Sequence, residues 1–172
     1  MIDIVKAQPA DISVIQDISR EIWYLHYPGI ITREQIEYML DMMYSSDVIE
    51  KEMTAEEVHY ALVKDHEKII GYLAFGPVGE KDEAKLHKCY LHPDYQGKGI
   101  GQEMLGYACG QAKEKGFARI LLAVNRKNEK AIKAYTKFGF VMDRPVVSDI
   151  GNGFVMDDFI MVKDLDKPAT EA

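Results

Sequence analysis

The 172-residue chain is expected to fold as an α+β (mixed α/β) domain, a mixed central sheet with helices packed on it rather than a doubly wound parallel sheet. Three observations predict this. Strand-like segments come three in succession in the middle of the chain, two in HYALVKDHEKIIGYLAF and a third from Ala84 to Leu91. Two segments of helical periodicity precede that run, and two more alternate with strands after it. The length suits one domain with one sizeable core, read as residues 1–166, with residues 167–172 as a disordered tail.

Residues 2 to 7, IDIVKA, alternate as a strand does. Asp11 can cap a helix through about Tyr24, since Ile12, Ile15, Ile18 and Ile22 recur at helical spacing until Pro28-Gly29 breaks the pattern. Thr32 opens a second helix, with Glu34 and Gln35 in its first turn, that runs to about Tyr44. The next two strands are joined by the polar turn Asp65 to Lys68 and end in a loop at Gly76-Pro77, ahead of the strand Ala84 to Leu91. Gln102 to Lys115 carries Met104, Leu105, Ala108 and Ala112 on one face and stops at Gly116. Arg119 to Val124 is a short buried strand. Asn128 then caps a helix through Phe138, ended by Gly139, and Asp158 to Lys163 is the last strand. The order is therefore β, α, α, β, β, β, α, β, α, β.

Between the strand ending at Leu91 and the helix that follows lies HPDYQGKGIGQ, with glycines at 97, 99 and 101. Glycine takes positive φ and lets another group approach the main chain, so such a cluster at a strand-to-helix junction suggests a phosphate cradle. A dinucleotide fingerprint GxGxxG fails, because position 102 is Gln102 and no acidic residue closes a strand about 20 residues on. A P-loop fails too, since Gly97-Lys98 is followed by Gly99 and the position five before Gly97 is His92. A plain glycine-rich turn is the alternative. At the start of the helix, unpaired N–H groups and the positive end of its dipole converge on one spot, where a pyrophosphate fits.

The net charge of -7 argues against a nucleic-acid binder, which needs a basic footprint. No apolar run reaches the length of a membrane span, and the amino end MIDIVKAQPAD lacks a basic region followed by an apolar one, so the chain is read as cytoplasmic. Cys89 and Cys109 sit in apolar segments without CxxC spacing and are read as core residues; the five histidines form no HxxxH or HExxH pair, so no metal site is expected. Charge is unevenly spread. Residues 1 to 60 hold 4 Lys/Arg against 12 Asp/Glu, whereas Lys113 to Lys137 hold 8 Lys/Arg against 2 Asp/Glu. These are either solvated faces or two sites of opposite preference, one for a cation and one for a polyanion.

With these segments placed, the chain resembles the GNAT superfamily of N-acetyltransferases. The signature of Gln or Arg, two residues, Gly, one residue, Gly or Ala stands here as Gln96, Gly99 and Gly101, and NEKAIKAYTKFGF matches the family's later helix at Asn128, Ala131, Tyr135 and Gly139-Phe140. The likeness is good over about residues 58 to 163 and holds in outline over residues 1 to 57. It implies a mostly antiparallel sheet with helices on both faces, and acetyl-CoA as the acyl donor with coenzyme A as product. It implies that the stretch Gln96, Gly97, Lys98, Gly99, Ile100 and Gly101 holds the pyrophosphate, and that Leu91 offers its main chain to the pantetheine and the acetyl carbonyl. Asn128 matches the family asparagine beside the cofactor; it reads equally as an ordinary N-cap. Tyr135 matches the tyrosine that donates a proton to the departing thiolate, where periodicity alone reads a core residue. His87, four residues before Leu91 and so on the same strand face, is the candidate base, with Glu83 behind it; a satisfied edge histidine is the plainer reading.

The resemblance puts the acceptor wall at Tyr24, His26, Tyr27 and Glu34, which read equally as packing and solubility; the acidic first third favours a small cationic amine such as a polyamine, held if Glu34, Glu37 or Asp41 line that wall rather than face solvent. The ending DIGNGFVMDDFIMVKDL is similar to that of some bacterial polyamine acetyltransferases. A homodimer is compatible with this reading. Two alternatives stay open: transfer to a protein or peptide amino terminus, and a non-catalytic acyl-CoA-sensing module, which would have no need of the acid Tyr135.

Overall fold

The computed structural model describes residues 1–79 and 82–165; the expected tail lies outside them. In chain order the elements are β1 (Ile2–Lys6), α1 (Ile12–His26), α2 (Arg33–Met43), α3 (Ser46–Thr54), β2 (His59–Asp65), β3 (Lys68–Pro77), β4 (Glu83–Leu91), α4 (Ile100–Glu114), β5 (Arg119–Asn125), α5 (Glu129–Phe138), β6 (Val141–Gly151) and β7 (Phe154–Asp164). The strands form one sheet in the order β1-β2-β3-β4-β5-β7-β6, antiparallel at every junction except β4–β5. The expected mixed, mostly antiparallel sheet with helices on both faces is what forms.

Strand alternation builds the two layers. Tyr60, Leu62, Tyr72 and Ala74 point to the face covered by α1, α2 and α3, where Ile15, Trp23, Ile36 and Ile49 complete a core. The residues between them, Ala61, Val63, Leu73 and Phe75, point to the other face, where α4 adds Met104, Leu105, Ala108 and Ala112. Each such large apolar side chain contributes about 1.5–3 kcal/mol on burial, so the alternation fixes the strand register.

Two elements were not expected from the sequence. α3 follows α2 after a break of two residues, and Ser45 starts it, its Oγ accepting the Val48 amide at 3.3 Å. β6 has almost no buried residue and carries Pro145, so it shows no period-two pattern; it exists because β7 pairs with it across the turn Gly151-Asn152-Gly153. That pairing also starts β7 at Phe154 rather than Asp158. The first helix runs on to His26, and the Asp11 carboxylate accepts the Gln8 amide at 2.8 Å instead of capping it.

Candidate active site

The site begins where the one parallel pairing stops. β4 and β5 pair only over Glu83↔Arg119, Ala84↔Ile120 and Lys85↔Leu121. Both strands continue, and a cavity of about 730 Å³ opens between Leu86–Leu91 and residues 122–125. It passes through the sheet: Met104 of α4 and Tyr135 of α5 line it on one face, Trp23 of α1 and Met39 of α2 on the other. The His92 amide donates to the Ile70 carbonyl at 2.8 Å, so the Leu91 main chain, one residue earlier, turns away from β3 and into the opening. Gln96 Nε2 donates to the Leu91 carbonyl at 3.3 Å, which leaves the Leu91 N–H to the cavity.

At one end of the cavity lies the glycine loop. Gly97 and Gly99 have φ of 80° and 83°, values that favour glycine, and Gly99 is the residue on which α4 starts. Gly101 is helical and unstrained; a Cβ built there, as at 97 and 99, meets nothing within 4 Å, so the glycines keep space open in front of the amides. The Glu103 amide donates to the Gly99 carbonyl at 3.2 Å, so the amides just before it have no intrahelical acceptor. Gln96, Gly97, Gly99 and Gly101 line the cavity. Lys98 and Ile100 do not: Lys98 Nζ sits 5.3 Å from the centroid of the Tyr95 ring, and Ile100 is buried in the core, so each can offer only its main chain. Lys130, Lys133 and Lys137 of α5 also line the cavity. Free amides, a helix dipole and three ammonium groups make a cradle that fits a polyphosphate.

Tyr135 projects from α5 into the cavity, its ring edge-on to Phe140 with centroids 5.9 Å apart. Burial, and then the neighbouring Cys89 and Tyr27, push its phenol well above the usual value, so it holds its proton. Cys89 lines the same wall rather than the core interior, and burial pushes its thiol up to about 12. Asn128 is both the N-cap and part of the site: its Oδ1 accepts the Ala131 amide at 3.3 Å, and its Nδ2 lies 3.1 Å from His26 Nε2. That contact makes Nε2 the acceptor and His26 neutral, in line with burial and Lys130 lowering its pKa.

On the α1 side His26 and Tyr27 line the cavity, and the Tyr27 and Tyr90 hydroxyls are 2.9 Å apart. Tyr24 and Glu34 do not reach it; Tyr24 instead bonds Glu37 at 3.4 Å on the exposed side of α1. Glu34, Glu37 and Asp41 all stay outside the lining. Glu83 pairs with Arg119 at 3.6 Å, where β4 and β5 are still joined. His87 does line the cavity, but β4 bulges there: Phe75 pairs with Leu86 and Ala74 with Lys88, leaving His87 the extra residue. The bulge breaks the period of two, so the spacing of four from Leu91 no longer sets a shared face. Burial, with Lys85 and Lys88, lowers His87 to about 4, and its Nε2 is buried without a hydrogen-bond partner among the described residues.

The sequence reading missed Asp158. It is 4% exposed on β7, opposite Asn125, and it lines the cavity. Burial raises its carboxyl to about 6, with Lys85 opposing the rise and Asp157 adding to it. An acid within the apolar run VMDDFIM was the available signal, but only the register says which of the pair faces inward.

A polyphosphate cradle opening into an apolar slot that carries a protonated phenol and a free amide defines a transferase that draws its group from a phosphate-bearing carrier. The chain belongs to the acetyltransferase (GNAT) family, whose model matches residues 17–140. Spermidine N(1)-acetyltransferase of Thermoplasma acidophilum is 28% identical over 160 residues, 91% of this chain and 96% of that protein. The crystal structure of PaiA N-acetyltransferase from Thermoplasma acidophilum in complex with coenzyme A superposes with a TM-score of 0.80 at 27% identity, covering 95% of this chain and 99% of that one. The [ribosomal protein bS18]-alanine N-acetyltransferase of Escherichia coli is 36% identical over 59 residues only, 34% of this chain and 40% of that enzyme.

Proposed function

We infer that the protein transfers an acetyl group from acetyl-CoA to a primary amine by direct attack on the thioester, with a polyamine as the acceptor class. The observation that carries this is the slot between β4 and β5, with its cradle, its Leu91 N–H and Tyr135 all on one cavity. The amides of residues 97–101 and Lys130, Lys133 and Lys137 hold the donor's phosphates. Bound there, the donor supplies an activated acetyl thioester. Leu91 N–H polarises the carbonyl and stabilises the negative charge that grows on its oxygen. Tyr135 gives its proton to the departing sulfur, a role its raised pKa suits. Asn128 fixes His26 beside the slot.

The polyamine reading is supported by the likeness to a spermidine acetyltransferase over 91% of the chain and by a lining that sets the Asp158 carboxylate among Met39, Met42, Met43 and Met156. Alkyl spacers suit the thioethers and an ammonium group suits the acid. The test is thiol release from acetyl-CoA over a panel holding spermidine, an uncharged-tail amine of similar length and a short peptide with an Ala amino terminus, at low and high salt. Spermidine should be preferred, by a margin that narrows as salt rises. Equal use of the two amines at low salt removes the polyamine, a preference for the peptide moves the acceptor to protein termini, and no release with any acceptor leaves a sensing module.

A further inference from the structure

We propose that Asp158 is the carboxylate that takes the proton from the attacking amine, an assignment that rests on the acetyl-transfer reading above. Asp158 is buried, and no described residue donates a hydrogen bond or an ion pair to it. Its neighbour Asp157 holds Arg126 at 3.1 Å, so that cation is already engaged. Neither of its oxygens is among the buried polar atoms left without a partner, so the carboxylate opens onto the cavity, and carboxylates set in a cleft in this way concentrate where they act on a ligand. Asp158 of β7, Tyr27 of α1 and Tyr135 of α5 line the same cavity, so the carboxylate and the phenol reach one space.

The other bases along the cavity are weaker or occupied. Glu52 is tied to Lys88 at 3.4 Å and to the Tyr60 hydroxyl at 2.7 Å. His26 Nε2 already accepts from Asn128. His87, at about 4, is the weaker base beside Asp158 at about 6. The groups facing Asp158 are Lys85 from β4, Tyr27 from α1 and Asp157 from its own strand.

The proton balance closes. The neutral amine gives its lone pair to the carbonyl carbon; the C–N bond forms, the C–S bond breaks, and the sulfur leaves with the bonding pair and takes the Tyr135 proton. Nitrogen becomes acidic as the new bond forms, and its surplus proton passes to Asp158. Return of that proton to the Tyr135 phenolate restores both groups.

The test is Asp158→Asn, with log(kcat/KM) for spermidine followed against pH. The amine must itself be neutral, which gives wild type a slope of one; below about pH 6 protonation of Asp158 should steepen it towards two. The variant should lose about 10²–10⁴ in kcat/KM, lose the steepening, and bind acetyl-CoA with unchanged affinity by calorimetry. A variant with wild-type turnover, or one that keeps the steepening, overturns the assignment. If Asp158→Asn does not fold, the wild-type profile and Asp158→Glu decide: no steepening in wild type overturns it, and Glu should retain the limb. Wild type that releases no thiol with any amine defeats the acetyl-transfer reading instead, so the two failures are distinct.

Discussion

Tyr135 keeps its proton because it is buried, and that makes its chemistry separable from its packing. Phe in its place retains the ring against Phe140 but has no proton to give. Tyr135→Phe should lower turnover about 10²–10⁴-fold when chemistry limits the rate, and leave acetyl-CoA affinity within about twofold by calorimetry. Gly99 tests the other end of the slot. At φ 83° a β-branched residue is strained, and its side chain would fill the open space before the amides. Gly99→Val should therefore weaken acetyl-CoA binding at least tenfold, while circular dichroism shows the fold kept. His87 gives a pH signature. Its folded pKa of about 4 lies below the ordinary 6.5, so the unfolded chain takes up the proton first and stability is lost as pH falls through that window. His87→Gln should remove about 1–3 kcal/mol of the loss between pH 7 and 4, measured by denaturant titration at each pH. The glycine loop was legible in local spacing, whereas Tyr135 and Asn128 were singled out by the family resemblance, since periodicity alone reads a core residue and an N-cap there. Asp158 and the bulge at His87 were not, because both depend on which residue of a neighbouring strand stands opposite.

At the scale of elements, α3 matters more than its nine residues suggest. It brings Glu52 to Lys88 of β4, a pair whose side chains are 14% and 3% exposed, with the Tyr60 hydroxyl bonded to both. Burial lowers the Lys88 pKa and Glu52 opposes that. Removing the partner charge leaves a buried ammonium, so Glu52→Gln should cost about 3 kcal/mol in denaturant unfolding, and adding Lys88→Met should recover most of it. The tie was invisible in the sequence: α3 is short, and the reading ended at Tyr44 what is really the first of two helices. β6 was missed for the opposite reason, since a strand exposed on both faces leaves no apolar rhythm and its pairing with β7 does all the ordering. That hairpin also reaches the other layer. The Tyr38 hydroxyl of α2 donates to the Ile150 carbonyl at 2.6 Å and Gln35 Nε2 to the Val155 carbonyl at 2.9 Å, which ties the hairpin to α2.

Over the whole molecule, only part of the uneven charge seen in the sequence reaches the cavity. Lys130, Lys133 and Lys137 of the basic stretch line it, whereas the acids of α2 stay outside and the lining carboxylates come from α3 and β7. The parting of β4 from β5 after three residue pairs has a kinetic consequence as well. A sheet that opened on one face only would force two substrates through one entrance, and the first product would have to clear it before the second reactant came in. Here residues of both faces line one cavity, so under the proposed reaction donor and acceptor can occupy it together. Initial rates measured against both concentrations should then give double-reciprocal lines that intersect, the mark of a ternary complex. Parallel lines would mean that the acetyl group rests on the protein between two half-reactions, and that the passage serves one visitor at a time.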